Sequence, residues 1–512
     1  MSLPAELRPE LPITEQFRPE YLLDCGILPL RLASEHLEVA ASGDPPQDVL
    51  EDLSLFYGAV VILIPLERAV LEEAIRRAFA STESVGDLVR GLEDDFDLEA
   101  NLGGDEPTDL RSLATQPPVV RYVSLLVRDA FDAGASDVHL EATRDGLRAR
   151  IRLDGVLTDI ASPPRGLQHA VVSRVKLLAS LDIAERRAPQ DGRFRVRLED
   201  RDLDLRVSTV PTLHGESVVL RLLDRGGRPV TLEELGMSDD LMQQVQRLAQ
   251  RPHGIVLATG PTGSGKTTTL YAALGMRNPA AEKIVTVEDP VEYHLAGITQ
   301  VPVHTKAGVT FAGALRSILR QDPDVLMIGE MRDPETAAIA VQAAMTGHLV
   351  FSTLHTNDAV SALTRLADLK VEPYMVAATV EGVLAQRLVR RICAACKESY
   401  TPDGALAGLL EREYLGTGTT IRLDSRRAPT PSLFRGAGCT DCRGTGYRGR
   451  TAIAEVMVMT DSIRDELLGA RSPARLRELA RTEGMTTLRQ DGWRKAHQGV
   501  TTVEEVLRVA AD

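Results

Sequence analysis

Gly254-Ile-Val-Leu-Ala-Thr-Gly-Pro-Thr-Gly-Ser-Gly-Lys-Thr-Thr268 is the stretch that decides the fold of this chain. The apolar run Gly254–Thr259 predicts a buried strand, and a helix is expected from Thr268. Between them, Gly260–Thr267 fits the pattern G-x-x-x-x-G-K-[ST] in its required place between strand and helix. Its glycines let backbone N–H groups turn inward and cradle phosphates. The stretch therefore predicts a phosphate-binding loop of a nucleoside-triphosphate hydrolase, with ATP as the expected nucleotide.

Each part of this loop has a predicted role in binding ATP and Mg²⁺. Lys266 is expected to reach the β- and γ-phosphates, and the Thr267 hydroxyl to bind Mg²⁺. The amino end of the following helix adds positive potential. The predicted nucleotide-binding residues are Gly260, Pro261, Thr262, Gly263, Ser264, Gly265, Lys266, Thr267 and Thr268.

Short apolar runs alternate with helical patterns after about residue 240, which is typical of a parallel sheet between helices. These runs are Ile255–Ala258, Ile284–Val287, Val325–Ile328 and Leu349–Ser352. Catalytic groups of such sheets collect where the strands end.

Carboxylates and a histidine follow these runs. Glu330 is our first choice for the group that orients the attacking water, and Glu292 is the second. Glu288 could equally be a surface carboxylate, and His355 follows the last run. The sequence leaves open whether Glu330 or Glu292 acts on the water.

Four arginines are candidates for stabilising charge on the transferred phosphoryl group. Arg316 and Arg320 are four residues apart and so share a helix face. Arg206 and Arg221 precede the nucleotide-binding region. A single arginine is more often a solvated surface group, and the residues alone do not select these four.

Composition restricts the class of protein. A chain of 512 residues is expected to form several domains. The net charge of −14 argues against a general nucleic-acid binder. No apolar run approaches the ~20 residues of a membrane helix, and Met1–Glu10 lacks a signal-peptide core. We expect a cytoplasmic protein that contacts the membrane only through partners.

Changes in pattern divide the chain into six predicted segments. Ten acidic residues and one basic residue between Ser81 and Leu110 indicate a linker. The segments are a small α+β domain at 1–80, an acidic linker at 81–116, a mixed domain with an antiparallel sheet at 117–230, the ATPase core at 231–392, a cysteine-containing subdomain at 393–450 and a helical region at 451–512.

Two Cys-x-x-Cys pairs predict a metal site. Cys393 and Cys396 form the first pair, and Cys439 and Cys442 form the second after 42 intervening residues. Four thiolates can surround Zn²⁺ as a tetrahedron, and such a closed site is structural rather than catalytic. The alternative is four unligated thiols.

Several of these motifs together resemble the secretion ATPase superfamily, and within it the type II secretion and type IV pilus-assembly ATPases. Their Walker A, Asp box, Walker B and His box match four segments in order, and three further segments resemble the family's second N-terminal domain. These segments are Gly260–Thr267, Val287–Glu292, Leu319–Glu330 and Thr346–Asp358, and then Ala135–Glu141, Arg148–Gly155 and Ala188–Arg193.

The resemblance implies a RecA-like ATPase domain that follows a PAS-like α+β domain and a small N-terminal domain. It implies a homohexamer in which nucleotide lies between domains and is contacted by Arg206, Arg221, Arg316 and Arg320. It also implies a tetracysteine element and docking on cytoplasmic domains of inner-membrane secretion or pilus platform proteins. Type II secretion is the favoured function. A pilus-extension ATPase, a DNA-uptake or nucleic-acid translocase, and a nucleotide-gated scaffold without turnover are the alternatives.

Overall fold

The structure is a computed structural model that describes most of the chain. The chain forms two compact units. The units are Met1–Arg195 with Leu205–Leu222, and Val196–Asp204 with Leu223–Asp512. The described residues are 11, 13, 17, 19–33, 36–43, 45–80, 84–95, 110–198, 201–224, 230–402, 404, 406, 408, 433–469 and 472–510.

The first unit begins with a three-stranded sheet that has helices packed on it. Strand β1 is antiparallel to β2, and β3 is parallel to β2. Leu22, Ile27, Leu37 and Leu71 are among the fully buried residues of its core. The strands are β1 Ile27–Ala33, β2 His36–Ala41 and β3 Val60–Pro65, and the helices are α1 Pro19–Cys25, α2 Gln47–Tyr57 and α3 Arg68–Ala80. This is the α+β arrangement predicted for residues 1–80.

The described part of the predicted acidic linker is helical. Helix α4 spans Val85–Asp95, and α5 spans Leu110–Ala114. Val85, Leu88 and Val89 are buried, and the Val85 N–H donates to Asp129 Oδ2 at 2.7 Å. The charge count overlooked these apolar residues, which recur at helical spacing. Residues 81–83 and 96–109 lie outside the described part of the chain.

A six-stranded sheet follows, in the order β6-β5-β4-β9-β8-β7. Strand β4 is antiparallel to both of its neighbours, as predicted for residues 117–230. Asp154 and Gly155 have φ of 47° and 86°, so they form a tight turn between β5 and β6. The elements are α6 Pro117–Asp132, β4 Asp137–Thr143, β5 Gly146–Leu153, β6 Val156–Asp159, α7 Gln168–Leu178, β7 Gln190–Leu198, β8 Arg201–Thr212 and β9 Gly215–Asp224.

The second unit is built on a seven-stranded, largely parallel sheet between helices. Its strand order is β12-β11-β13-β14-β10-β15-β18, and only β18 is antiparallel to its neighbour among the described pairs. The strands are β10 Gly254–Thr259, β11 Ile284–Glu288, β12 Thr299–Pro302, β13 Val325–Ile328, β14 Leu349–Leu354, β15 Val380–Ile392 and β18 Tyr447–Val458, and β16 Lys397–Tyr400 pairs with β17 Leu433–Gly436 as a separate ribbon.

Helices cover this sheet. They are α8 Asp239–Ala249, α9 Lys266–Leu274, α10 Phe311–Ile318, α11 Pro334–Met345, α12 Ala359–Asp368, α13 Pro373–Thr379, α14 Asp461–Leu468, α15 Pro473–Thr482, α16 Leu488–His497 and α17 Val503–Val509. Within the described ranges, no helix is long and apolar enough to cross a membrane.

The predicted C-terminal helical region starts later than expected. Residues 451–458 complete β18 and pair with β15, and the first helix begins at Asp461. Most of these strand residues are buried because helices α16 and α8 pack against β18. An apolar run that is buried on both faces has no period that separates strand from helix.

Candidate nucleotide site and cysteine cluster

The glycine-rich loop turns tightly between β10 and α9. Gly260 has φ of 151° and Gly265 has φ of 87°, a region that side chains rarely adopt. A Cβ on Gly260 would lie 2.5 Å from Gln386 O and 2.6 Å from Ser264 Oγ. The helix begins at Lys266, two residues before the predicted Thr268, and Thr267 and Thr268 are half-buried. Glycine is therefore required here by both conformation and space.

Lys266 is held at this loop by backbone oxygens. Its side-chain Nζ donates to Gly260 O at 2.7 Å and to Pro261 O at 3.0 Å. Burial lowers the pKa of Lys266 to about 8, the charge of Glu330 opposes that change, and Arg387 adds to it. The ammonium therefore interacts electrostatically with a predicted catalytic carboxylate.

Glu330 and His355 come together at the same edge of the sheet. Strands β10, β13 and β14 are parallel neighbours, so their carboxyl ends lie at one edge. Glu330 Oε2 is 3.3 Å from His355 Nε2, and Glu330 Oε1 is 2.6 Å from Arg332 Nη2. The Glu330 side chain is 12% exposed, so the carboxylate is partly shielded from water. The site thus combines an ammonium, a shielded carboxylate and an imidazole.

Glu288 and Glu292 have different surroundings from Glu330. Glu288 is buried and accepts hydrogen bonds from the Tyr271 hydroxyl, from Thr286 Oγ1 at 2.5 Å and from Gln300 Nε2 at 3.1 Å. These bonds tie β11 to α9 and β12. Glu292 is half-buried, and its charge acts on the two tyrosines beside Glu288. Neither is among the groups whose charges act on Lys266.

The four candidate arginines fall into two pairs. Arg316 pairs with Glu335, and Arg320 Nη1 donates to Arg316 O at 2.8 Å. Arg320 lies in the turn after α10, and both side chains are exposed on the second unit. Their roles toward phosphate stay predictions.

The other pair lies on the first unit. Arg206 on β8 and Arg221 on β9 line a surface cavity of about 570 Å³. Arg221 Nε donates to Asp137 Oδ1 at 2.9 Å. Burial alone would raise the pKa of Asp137, but bonds from Arg221 and Ser136 lower it below its usual value. Arg221 is therefore held by an ionised carboxylate.

Sequence reasoning missed Gln386 and Arg387, which touch the glycine-rich loop from β15. No strand was inferred at Val380–Ile392, and Gln386 and Arg387 lie inside this strand rather than at its end, so the rule that catalytic groups follow strands does not select them. Arg332, which pairs with Glu330, was also missed.

The four predicted cysteines form one cluster. Their sulfur atoms lie within 4.8 Å of one another, and three Sγ–Sγ separations are 3.7–3.8 Å. A tetrahedral site with Zn–S of about 2.3 Å places sulfurs about 3.8 Å apart. The spacing therefore fits a Zn²⁺ ion, and the cluster contains Cys393, Cys396, Cys439 and Cys442.

Backbone N–H groups favour thiolate at one member of the cluster. Burial alone would raise the pKa of Cys442, but N–H groups of Cys439 and Gly446 donate to its sulfur at 3.1 and 3.2 Å and lower the pKa to about 6. The Gly438 N–H donates to Cys396 Sγ at 3.3 Å. Thiolates held this way are suited to binding a soft cation.

Comparison with known proteins gives one family. Residues 112–508 match the family described as Type II/IV secretion system protein. The chain is 45% identical over 475 residues to type II secretion system protein E of Xanthomonas campestris pv. campestris, covering 92% of this chain and 80% of the relative. It is 41% identical over 486 residues to the type IV pilus assembly ATPase PilB of Myxococcus xanthus, covering 94% and 83%.

A solved structure agrees with these relatives. The pilus retraction motor PilT with bound ADP is 25% identical and covers 76% of this chain and 96% of its own, with a TM-score of 0.51.

The predicted resemblance is confirmed by the family match and by relatives that cover most of the chain. The predicted fold class, an α/β ATPase domain with a largely parallel sheet, is confirmed as well. The chain is a P-loop ATP hydrolase and belongs to the type II/IV secretion system protein family.

Proposed function

We propose that ATP hydrolysis by this chain powers pseudopilus assembly in type II protein secretion. The name of the relative from Xanthomonas campestris pv. campestris supports this function, and that of the relative from Myxococcus xanthus supports pilus extension as the second candidate. The observation that carries the enzymatic part is the convergence of Lys266, Glu330 and His355 at one edge of the sheet.

Lys266 and the loop bind the triphosphate. The Lys266 ammonium neutralises charge on the β- and γ-phosphates, and backbone N–H groups of Gly260–Thr267 donate to their oxygens. The Thr267 hydroxyl and this loop would hold Mg²⁺, which supplies further neutralisation of the phosphates when bound. Thr267 is half-buried in the first turn of α9, where such a hydroxyl is needed.

Glu330 orients the attacking water in this proposal. Its carboxylate is largely shielded, and Arg332 and His355 hold its two oxygens in place. Glu292 remains the alternative, because it also follows a strand that ends at this edge. The interaction of Glu330 with Lys266 favours Glu330.

The four arginines complete the site in a homohexamer, where they contact phosphates from outside the loop. This proposal draws on the family resemblance, and on the exposure of Arg221, Arg316 and Arg320, which leaves each of them accessible to another subunit. Particle mass measured with and without a non-hydrolysable ATP analogue tests it: six copies are expected, and a monomer under both conditions contradicts it.

The chain works at the cytoplasmic face of the inner membrane through partners. The first domain exposes apolar side chains that suit docking on the cytoplasmic domain of a platform protein: Leu55 and Phe56 on α2 are 85% and 64% exposed, and Val60 on β3 is 63% exposed. Nucleic acid is not a partner, given the net charge of −14. DNA-stimulated, salt-sensitive ATPase activity would favour a translocase instead.

The cysteine cluster holds a structural Zn²⁺. All four positions are filled by sulfur, so no open position remains for a substrate. The cluster lies between the end of β15 and the start of β18, and the ion would pin these two strand ends.

Phosphate release by the full-length protein tests the enzymatic roles. Lys266→Ala should abolish turnover, and Glu330→Gln should reduce kcat roughly 100-fold or more. Asp368→Asn is the matched control, because it makes the same change from carboxylate to amide at an exposed position on α12, and it should retain the parent rate. If Glu330→Gln and the parent hydrolyse ATP at equal rates, Glu330 does not orient the attacking water. Glu292 then becomes the candidate, and the rate of Glu292→Gln tests it.

Complementation of a deletion strain separates the two biological candidates. If the deletion strain no longer exports proteins and the parent gene restores their export, the result supports secretion. Normal export with loss of surface pili supports the pilus alternative.

A further inference from the structure

Strand β15 extends past the end of β10 and runs beside the phosphate loop. Ala385 pairs with Thr259, the last residue of β10, so Gln386 and Arg387 lie next to the loop at Gly260. Gln386 is fully buried and Arg387 is 8% exposed. Two large polar side chains are therefore buried together beside the phosphate loop.

The Gln386 amide joins two parts of the nucleotide-binding segment. Its Nε2 donates to Ser264 O at 2.9 Å, and its Oε1 accepts from Thr269 Oγ1 at 2.7 Å. These partners lie on either side of Lys266 in the chain. A Cβ on Gly265 would be 2.7 Å from the same Nε2, so the loop packs directly on the amide. Gln386 thus fixes the loop and the first turn of α9 relative to each other.

Arg387 reaches a different segment. Its Nη2 donates to Asn357 O at 2.8 Å and to Asn357 Oδ1 at 3.3 Å, and its Nη1 donates to Gln386 O at 3.2 Å. Within the described residues, these hydrogen bonds all end on uncharged oxygens. The charges of Glu455 and Asp358 partly offset the desolvation of this guanidinium, but neither carboxylate is a hydrogen-bond partner of it, so its burial stays costly.

The segment that Arg387 holds carries His355. Asn357 is two residues after His355, and His355 contacts Glu330. The residue between them is also anchored, since the Thr356 N–H donates to Thr259 Oγ1 at 2.9 Å. The segment 355–357 is therefore tied to both strands that flank the phosphate loop.

We propose that Gln386 and Arg387 are positioning residues for ATP hydrolysis: Gln386 fixes the phosphate loop around Lys266, and Arg387 fixes segment 355–357 so that His355 and Glu330 face that loop. The inference rests on the proposed roles of Lys266 and Glu330. Gln386 acts on nucleotide binding, and Arg387 acts on the chemical step through His355.

These roles predict a division between KM and kcat. Gln386→Leu removes both loop bonds and should raise KM for ATP roughly tenfold. Arg387→Met should lower kcat roughly tenfold to a hundredfold while KM stays within about twofold. Arg387→Lys should recover part of kcat, because an ammonium can still donate to Asn357 O. Arg391→Met is the matched control, since Arg391 is exposed on the same strand and should leave both constants unchanged.

A double-mutant cycle examines the route through His355. If Arg387 acts through this segment, Arg387→Met combined with His355→Ala should be no slower than the worse single variant. Multiplied losses would overturn the proposed route. Circular dichroism and the thermal midpoint confirm that each variant is folded before its rates are compared.

The outcomes separate this inference from the proposed function. Turnover that survives Lys266→Ala contradicts the proposed function. If Lys266→Ala abolishes turnover but Arg387→Met and Gln386→Leu keep the parent kcat and KM, the proposed function stands and only the positioning roles are overturned. If Arg387→Met does not fold, Arg387→Lys and Asn357→Ala take its place: reduced kcat at unchanged KM supports the inference, and unchanged kcat in both overturns it.

Discussion

Replacing Glu505 by Gln removes a buried carboxylate that fastens helix α17 to strand β15. Glu505 accepts from the Arg390 N–H at 2.9 Å, from Arg390 Nη2 at 2.8 Å and from Arg508 Nη2 at 2.7 Å. Burial alone would raise the pKa of Glu505, but the bonds from Arg508 and Arg390 prevail and lower it to about 2. The ionised form is therefore the one that the fold stabilises.

The size of the effect follows from this pKa. The ordinary value is 4.5, so a folded value of about 2 corresponds to about 3 kcal/mol at neutral pH. Screening through the partly exposed Arg508 reduces the expected contribution to about 2 kcal/mol. Because the folded pKa is the lower one, the contribution is complete above about pH 4.5 and declines as the pH falls toward 2.

Urea unfolding followed by tryptophan fluorescence measures this contribution. Trp493, the single tryptophan of the chain, is buried on α16 beside α17 and reports on this region. Glu505→Gln should unfold at lower urea at pH 7, and its difference from the parent should shrink between pH 5 and pH 3. The exposed Glu504→Gln is the matched control and should shift stability by less than about 0.5 kcal/mol. A difference between Glu505→Gln and the parent that is absent at pH 7, or that does not vary with pH, would refute the reasoning.

Three further predictions concern the loop, the cysteines and His355. Gly265→Ala should lose ATP binding in an equilibrium titration, because its Cβ would lie 2.7 Å from Gln386 Nε2; binding at parent affinity would contradict this. Metal analysis should find about one Zn per chain, and Cys396→Ser should lose the metal and lower the thermal midpoint while Cys25→Ser retains both; a metal-free parent protein would remove the proposed site. His355→Ala should lower kcat about tenfold by freeing the carboxylate after β13, with KM for ATP unchanged, and an unchanged kcat would exclude that role.

Local patterns predicted much of the site. The phosphate loop is a contiguous motif, and its glycines are required by backbone angles that the motif implies. Glu330 and His355 could be proposed, and their proximity understood, because parallel strands bring their carboxyl ends together, a rule that needs only the strands. The cysteine cluster was predicted from the Cys-x-x-Cys spacing in the sequence. The distances between the sulfurs fit those of a tetrahedral metal site.

The residues that sequence reasoning missed depend on strand order. Gln386 touches Ser264 from 122 residues away, because β15 is the neighbour of β10 in the sheet. A single sequence contains the apolar run of β15 but not its partner. Two other elements were missed for different reasons. Helix α4 lies in a segment whose acidic composition indicated a linker, and the last part of β18 is buried on both faces and so lacks the alternation of a half-buried strand.

Strand β15 carries Gln386 and Arg387 in its middle and leads into Cys393 at its end. The seven residue-to-residue steps from Gln386 to Cys393 span about 23 Å in extended conformation. An extended strand that is hydrogen-bonded on a neighbour transmits a displacement at one end with little slack. A change that displaces the four sulfurs would therefore shift β15 beside the ATP loop. The geometry of the nucleotide site would then depend on a metal site that performs no chemistry.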